Sequence, residues 1–191
     1  IMELKKINSL VELFFETYKE KNFLPHQPFL KWLKTENEDF LTWKQVEQKI
    51  SILSNYLRKN LSKGDRCILL SENRPEWLIT DLAIMNAGGV TVPLFTTYSE
   101  QDYKHIIKDC KPKICIVSNN IQFKKLEKFI SNETEVLSIE KFNEKIESIE
   151  NIIQKYCDNE TPHNSLKYNN ELNRKDLACI IYTSGTTGNP K

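Results

Sequence analysis

Hydrophobic positions along this chain follow two periods in alternation. Short strand-like runs occur at 66–70 (Arg-Cys-Ile-Leu-Leu), 90–93, 114–117 and 135–139, continuously apolar at 67–70 and 114–117, and between them apolar residues return every three or four positions. Unbroken short runs suit strands buried on both faces, and the longer period suits helices that cover a sheet. The spacing predicts a first helix from Leu10 to about Lys21. Leu10, Val11, Phe14, Phe15 and Tyr18 line it, and Ser9-Leu10-Val11-Glu12 forms a capping box. Pro25 and Pro28 mark loops between Phe23 and Phe40, around a short strand at 29–33. Thr42-Trp43-Lys44-Gln45 repeats the capping pattern. Val46, Ile50, Leu53, Leu57 and Leu61 then stripe a helix expected to end with Gly64 in its C-cap region.

Downstream of the strand at 66–70, Asn73 is the expected N-cap of a helix with Pro75 in its first turn and Glu76 at its third position. That helix runs through Leu78, Leu82 and Met85 to Gly88-Gly89. A strand at 90–93, a helix from Ser99 to about Cys110 and a strand at 114–117 follow. A helix at 123–130, a strand at 135–139 and a helix at 141–156 complete the series. The last helix would carry Phe142, Ile146, Ile149, Ile153 and Tyr156 on one stripe. Repeated strand–helix alternation predicts an α/β fold, a mostly parallel sheet with flanking helices. The organisation reads as an N-terminal helix with loops (1–41), a βαβ subdomain (42–157), an Asn-rich linker with Pro162 (158–175), and a last strand with a loop (176–191).

That last loop is where chemistry concentrates. The apolar run 177–182 reads as a buried strand. It leads into Thr183-Ser184-Gly185-Thr186-Thr187-Gly188-Asn189-Pro190-Lys191, which holds two glycines, four hydroxyls and a lysine in nine residues. Gly185 and Gly188 let backbone N–H groups approach a ligand closely, and such groups at a strand end form an anion-binding nest. Thr183, Ser184, Thr186 and Thr187 add short donors, and Lys191 adds a mobile positive charge. The pattern is that of a polyphosphate cradle, with a hydroxyl-rich surface turn that binds nothing as the structural alternative. It is not a Walker A loop, because Pro190 stands where the second glycine of that motif would be. Arg74 and Glu76 also lie beyond a strand's carboxyl end, but a helix cap beside a Trp77 packing anchor accounts for them.

Composition narrows the class without adding chemistry. The 191 residues allow one large domain or one and a half, with 39% hydrophobic and 28% charged residues. A net charge of +1 gives no global field toward nucleic acid or an anionic membrane. Five cysteines (Cys67, Cys110, Cys115, Cys157, Cys179) without a C-x-x-C pair point to a reduced core, with Cys67, Cys115 and Cys179 in apolar strand-like runs. His26, His105 and His163 have no metal-site spacing. No secretory signal and no run of eighteen apolar residues occurs. A natural domain rarely stops inside its own ligand loop, so the chain is expected to be an N-terminal fragment.

The string from Tyr182 to Lys191 resembles the phosphate-binding signature of the AMP-forming, adenylate-forming ligases: acyl-CoA synthetases, luciferases and peptide-synthetase adenylation domains. Lys63-Gly64-Asp65-Arg66, Ser71 to Trp77 and Ala87 to Leu94 resemble, in the same order, N-terminal blocks of long-chain fatty-acid–CoA ligases. The resemblance touches most of the chain from Thr42 onward. It implies the incomplete N-terminal domain of an acyl-adenylate-forming enzyme. In such an enzyme a fatty-acid carboxylate attacks the α-phosphate of ATP, and the CoA thiol then displaces AMP. By the same resemblance Thr183, Ser184, Gly185, Thr186, Thr187, Gly188 and Lys191 would hold the β- and γ-phosphates, with Thr183 also a ligand of Mg²⁺. It suggests transient peripheral contact with membrane through the acyl substrate, while the cysteine usage points to a cytoplasmic protein and the net charge to no nucleic-acid partner. No catalytic residue is expected within these 191 residues, so the piece alone is expected to be inactive. Another AMP-forming ligase (peptide-synthetase, aryl or short-chain), a different nucleotide hydrolase or kinase, and a non-enzymatic remnant are the alternatives.

Overall fold

A computed structural model describes residues 6–20, 25–34, 37–158, 169 and 171–183. Its elements are α1 (Leu10–Glu20), β1 (Pro28–Lys34), β2 (Asn37–Thr42), α2 (Trp43–Leu57), β3 (Arg66–Leu70), α3 (Pro75–Asn86), β4 (Val90–Leu94), α4 (Glu100–Cys110), β5 (Ile114–Val117), α5 (Asn120–Leu126), β6 (Glu135–Ser138), β7 (Glu147–Ser148) and α6 (Ile149–Asp158). Strands β3 to β7 form one sheet in the order β4-β3-β5-β6-β7, and every pairing in it is parallel. The α/β, mostly parallel architecture expected from the hydrophobic pattern is the one observed.

The unbroken apolar strands follow from burial on both faces. In β3, Cys67 and Leu69 pack with α1, α2, α3 and α6, whereas Ile68 and Leu70 pack with α4 and α5. All four have no exposed surface. Because successive side chains of a strand point to opposite faces, a strand covered by a helical layer on each side takes apolar residues at consecutive positions, as β3 does. The capping boxes also form: Thr42 accepts from Gln45 N and Gln45 reaches back, and Ser99 does the same with Asp102.

Several local expectations are corrected. The region before Thr42 holds two strands rather than one, paired antiparallel from Pro28↔Thr42 to Lys34↔Asn37. The acidic Asn37-Glu38-Asp39 stretch hides β2, since its strand state comes from pairing with β1 rather than from propensity. Helix α2 stops at Leu57 with Arg58 as C-cap, seven residues before Gly64. Gly64 takes φ +87° in the turn that enters β3, with its N–H donating to Gly88 O at 2.8 Å. Arg74, not Asn73, is the N-cap of α3 and is extended, with no side-chain cap. A residue before proline is pushed out of the helical region, so Pro75 at the first position selects Arg74 and moves Glu76 to the second. Helix α5 begins at Asn120, because the Asn119 side chain accepts from the N–H groups of Ile121 and Gln122. The expected helix at 141–156 splits into a turn, β7 and α6. The Asn143 carboxamide accepts from the N–H groups of Lys145 and Ile146, an Asx turn that competes with helix. Phe142 packs with Phe123 on one side of the sheet, while Ile149 and Ile152 pack on the other. A single straight helix cannot serve both faces.

The turn at 86–89 places the next strand and is sterically tight. A Cβ on Gly89 would lie 2.9 Å from Ile84 Cγ2, 3.2 Å from Leu61 Cδ1 and 3.3 Å from Cys67 Sγ, whereas one on Gly64 would meet nothing within 4 Å. Gly89→Ala should therefore destabilise by about 1–3 kcal/mol through overpacking, and Gly64→Ala by about 1–2 kcal/mol through its left-handed backbone alone. Asparagine separates the two causes in urea unfolding. It should be milder than alanine at Gly64, where a short polar side chain tolerates that backbone, and worse than alanine at Gly89, where volume decides. The same order at both positions would contradict this account.

Candidate functional site

Residues 178–180 lie beside β4. Thr91 N–H donates to Ala178 O at 3.1 Å, and Ile180 N–H donates to Thr91 O at 2.9 Å. They form a parallel bridge, Thr91↔Cys179. Since this segment runs in the direction of β4, the chain leaves it at the carboxyl ends of the strands. That is where ligands bind in open α/β sheets. Tyr182 and Thr183 stand at this edge. The expectation of a buried strand over 177–182 is only half right. Ala178, Ile180 and Tyr182 face the protein, but Leu177 and Ile181 are exposed, as is Cys179. Side chains of an extended segment alternate between its two faces, and those of Leu177, Cys179 and Ile181 lie on the face open to solvent. Cys179 is thus not part of the core in which Cys67 and Cys115 lie.

Of the seven expected phosphate-binding residues, Thr183 is described and is exposed. Ser184, Gly185, Thr186, Thr187, Gly188 and Lys191 lie outside the described residues. What fixes the loop's entrance is visible. Tyr182 is 5% exposed within the second core cluster. Its carbonyl accepts from Tyr98 Oη at 2.7 Å, and its own hydroxyl donates to Asp109. Burial, and then the hydrogen bond to Asp109, push the Tyr182 phenol well above its ordinary pKa, so it stays a donor. Tyr103 Oη donates to Phe95 O at 2.8 Å, and Lys125 Nζ donates to Thr96 O at 2.7 Å, which pins the β4–α4 connection beneath it. The sequence reading missed Tyr98 and Asp109. Neither belongs to a motif, and their roles depend on pairing across more than seventy residues.

A second polar group occupies the reversal of strand order between β3 and β5. Gln122 Nε2 donates to Glu72 Oε1 at 2.6 Å. Desolvation pushes Glu72 up, but hydrogen bonding, that from Gln122 included, and the charge of Arg74 outweigh it, so the carboxyl lies below its ordinary range. Arg74 bonds Glu76 at 2.8 Å and Glu140 at 2.5 Å, tying the start of α3 to the end of β6. Both carboxylates are thereby engaged in structural contacts, although the side-chain helix cap expected at this turn does not form. As for magnesium, no cluster of three or more His, Cys, Asp or Glu occurs among the described residues. Thr183 could supply one oxygen of an octahedral shell, and Mg²⁺ in nucleotide sites commonly takes most of the rest from phosphates and water.

The sheet, its covering helices and the loop entrance agree with the comparison to protein families. Residues 19–191 match the AMP-binding enzyme family. The chain belongs to that family. The long-chain-fatty-acid–CoA ligase ACSBG1 of Rattus norvegicus is 23% identical over 188 residues, which cover 94% of this chain and 26% of the relative. A mycosubtilin synthase polypeptide of Bacillus subtilis is 30% identical over 154 residues, covering 79% of this chain and 5% of that protein. The chain thus spans about a quarter of the length of one relative and far less of the other. A crystal structure of the anthranilate CoA ligase AuaEII in complex with anthranoyl-AMP superposes with a TM-score of 0.76 at 20% identity. It covers 98% of this chain and 34% of that one, and it shows a shared fold. Among the described residues no helix is long and apolar enough to cross a membrane.

The cysteines give a direct check on the edge position of residues 178–180. Burial raises the thiol pKa of Cys110 to about 11, lifts Cys67 higher and holds Cys115 well above the ordinary thiol value. Iodoacetamide on the native chain should alkylate Cys179 and leave Cys67, Cys110 and Cys115 unmodified until urea unfolds the protein, as mapped by peptide mass spectrometry. Protection of Cys179 would mean that the segment is covered.

Proposed function

We propose that the protein carrying these residues is an ATP-dependent acid–thiol ligase acting on long-chain fatty acids. The observation that carries this reading is the parallel pairing of 178–180 with β4. It delivers Thr183 to the carboxyl edge of the sheet in a chain of the AMP-binding enzyme family. In the proposed reaction a carboxylate oxygen attacks the α-phosphorus of ATP, and the bond to pyrophosphate breaks. The CoA sulfur, having lost its proton, then attacks the acyl carbonyl and AMP leaves. The loop's part is positioning and charge stabilisation. Backbone N–H groups around Gly185 and Gly188, the hydroxyls of Thr183, Ser184, Thr186 and Thr187, and the Lys191 ammonium would hold the β- and γ-phosphates. Thr183 would contribute one ligand to a magnesium ion carried with the nucleotide, and that ion supplies charge neutralisation.

Long acyl chains are favoured over the other acids because ACSBG1, named for that substrate, aligns with 94% of this chain. The upstream blocks around Gly64, Pro75 and Gly89 also resemble that class. A second reading, amino-acid activation, is supported by the higher identity to mycosubtilin synthase over a shorter stretch. Carboxylate-dependent exchange of radiolabelled pyrophosphate into ATP by the full-length protein tests both readings. Exchange should appear with a saturated long-chain fatty acid and not with anthranilate or free amino acids. In the full-length protein, Lys191→Ala should lower the exchange rate about 100-fold with its thermal midpoint unchanged. Exchange with amino acids alone would select the second reading, and no exchange with any carboxylate would reject both.

A further inference from the structure

We infer that Tyr98 and Asp109 are positioning residues for the phosphate loop, acting through Tyr182; the inference rests on the ATP-binding reading above. Tyr182 is the residue immediately before Thr183, and three independent restraints meet on it. Its ring is buried against the α4 side of the sheet. Its carbonyl accepts from Tyr98. Its hydroxyl donates to Asp109 in the last turn of α4. Backbone pairing fixes residues 178–180, but a parallel bridge leaves the rotation of the following residues free. The two side-chain bonds hold both ends of Tyr182, main chain and phenol tip, and so set the direction in which the chain departs.

Both partners are placed as a positioning device requires. Tyr98 meets Phe95 edge-on with centroids 5.3 Å apart, and Tyr103 at 6.1 Å. Its hydroxyl is therefore oriented before it bonds Tyr182, with little rotamer freedom left to lose. Asp109 sits in the C-terminal turn of α4, the end of a helix where an acid is disfavoured by the macrodipole. Among the described residues it forms no ion pair. The bond from Tyr182 gives this carboxylate a function that α4 itself does not. Together the contacts make α4 and the β4–α4 connection a second support for the loop, distinct from the sheet. A loop that must present donors to the leaving phosphates within a few tenths of an ångström depends on such support.

The test uses the full-length protein and pyrophosphate exchange with a long-chain fatty acid. Tyr98→Phe keeps the ring and removes only the hydroxyl. It should lower kcat/KM for ATP about five- to tenfold, as expected for one lost oriented hydrogen bond, and leave KM for the fatty acid unchanged. Asp109→Ala should do the same, and Asp109→Asn, whose amide oxygen still accepts from Tyr182, should restore most of the loss. Tyr56→Phe removes a hydroxyl bonded to Glu135 at 3.4 Å, far from the loop. It supplies the control for general destabilisation and should change neither constant. In a Lys191→Ala background the Tyr98→Phe effect should largely vanish, because both act through one loop. Exchange by the parent protein with unaltered ATP constants in Tyr98→Phe and Asp109→Ala would overturn this inference alone. Additive effects in the double variant would overturn it as well. Absence of exchange in the parent protein would remove the functional reading and this inference with it.

Discussion

The close packing at Asn86-Ala87-Gly88-Gly89 holds the rest of the arrangement in place. Four parts of the chain meet there. Asn86 Nδ2 donates to Ser54 of α2 at 2.9 Å, and its carbonyl accepts from Arg58 at 2.7 Å. Its Oδ1 accepts from Asn169 N–H at 2.8 Å. Gly88 O receives Gly64 N–H, and Gly89 lies against Cys67 with no room for a side chain. One buried carboxamide thus joins α2 to the tail that follows α6, and two glycines let α3 return to the sheet in register with β3. A buried amide left without partners would cost free energy, so this turn tolerates one arrangement.

That register propagates to the site. With Arg66 opposite Val90 and Leu70 opposite Leu94, Thr91 is placed to pair with residues 178–180. The tail enters this pairing already held by Asn169 on Asn86 and by the Lys63–Asp176 ion pair at 2.8 Å. Hydrogen bonding to Lys63 depresses the Asp176 pKa, so that contact is present at neutral pH and lost as pH falls below the ordinary carboxylate range. Sheet position, direction of the last segment and location of the loop's entrance are consequences of one another.

Legibility in the sequence followed the range of the interactions. Elements coded within a few residues were readable: the runs of β3, β4 and β5, the Thr42 and Ser99 capping boxes, and the alternation that implies a parallel sheet. The hydroxyl- and glycine-rich stretch at 183–191 stood out because its pattern is local; phosphate binding by it is a proposal. What escaped depended on distant partners. Strand β2 exists because β1 is beside it, and the break at Asn143 shows only when Phe142 and Ile149 are seen on opposite faces. The edge position of Cys179 follows from the sheet order. Tyr98 and Asp109 matter through Tyr182, which no spacing rule connects to them. The Asn119 cap and the restriction before Pro75 were signals available in the sequence that the spacing of apolar residues overrode.

If this AMP-binding enzyme fold presents its loop to the phosphates of ATP as proposed, pyrophosphate leaves intact. Phosphorus NMR of the full-length protein incubated with ATP, a long-chain fatty acid and CoA reads that directly. AMP and pyrophosphate should appear in equal amounts, dependent on the fatty acid. Formation of ADP and inorganic phosphate instead would contradict the scheme, because cleavage would then fall between the β- and γ-phosphates, a bond it leaves whole.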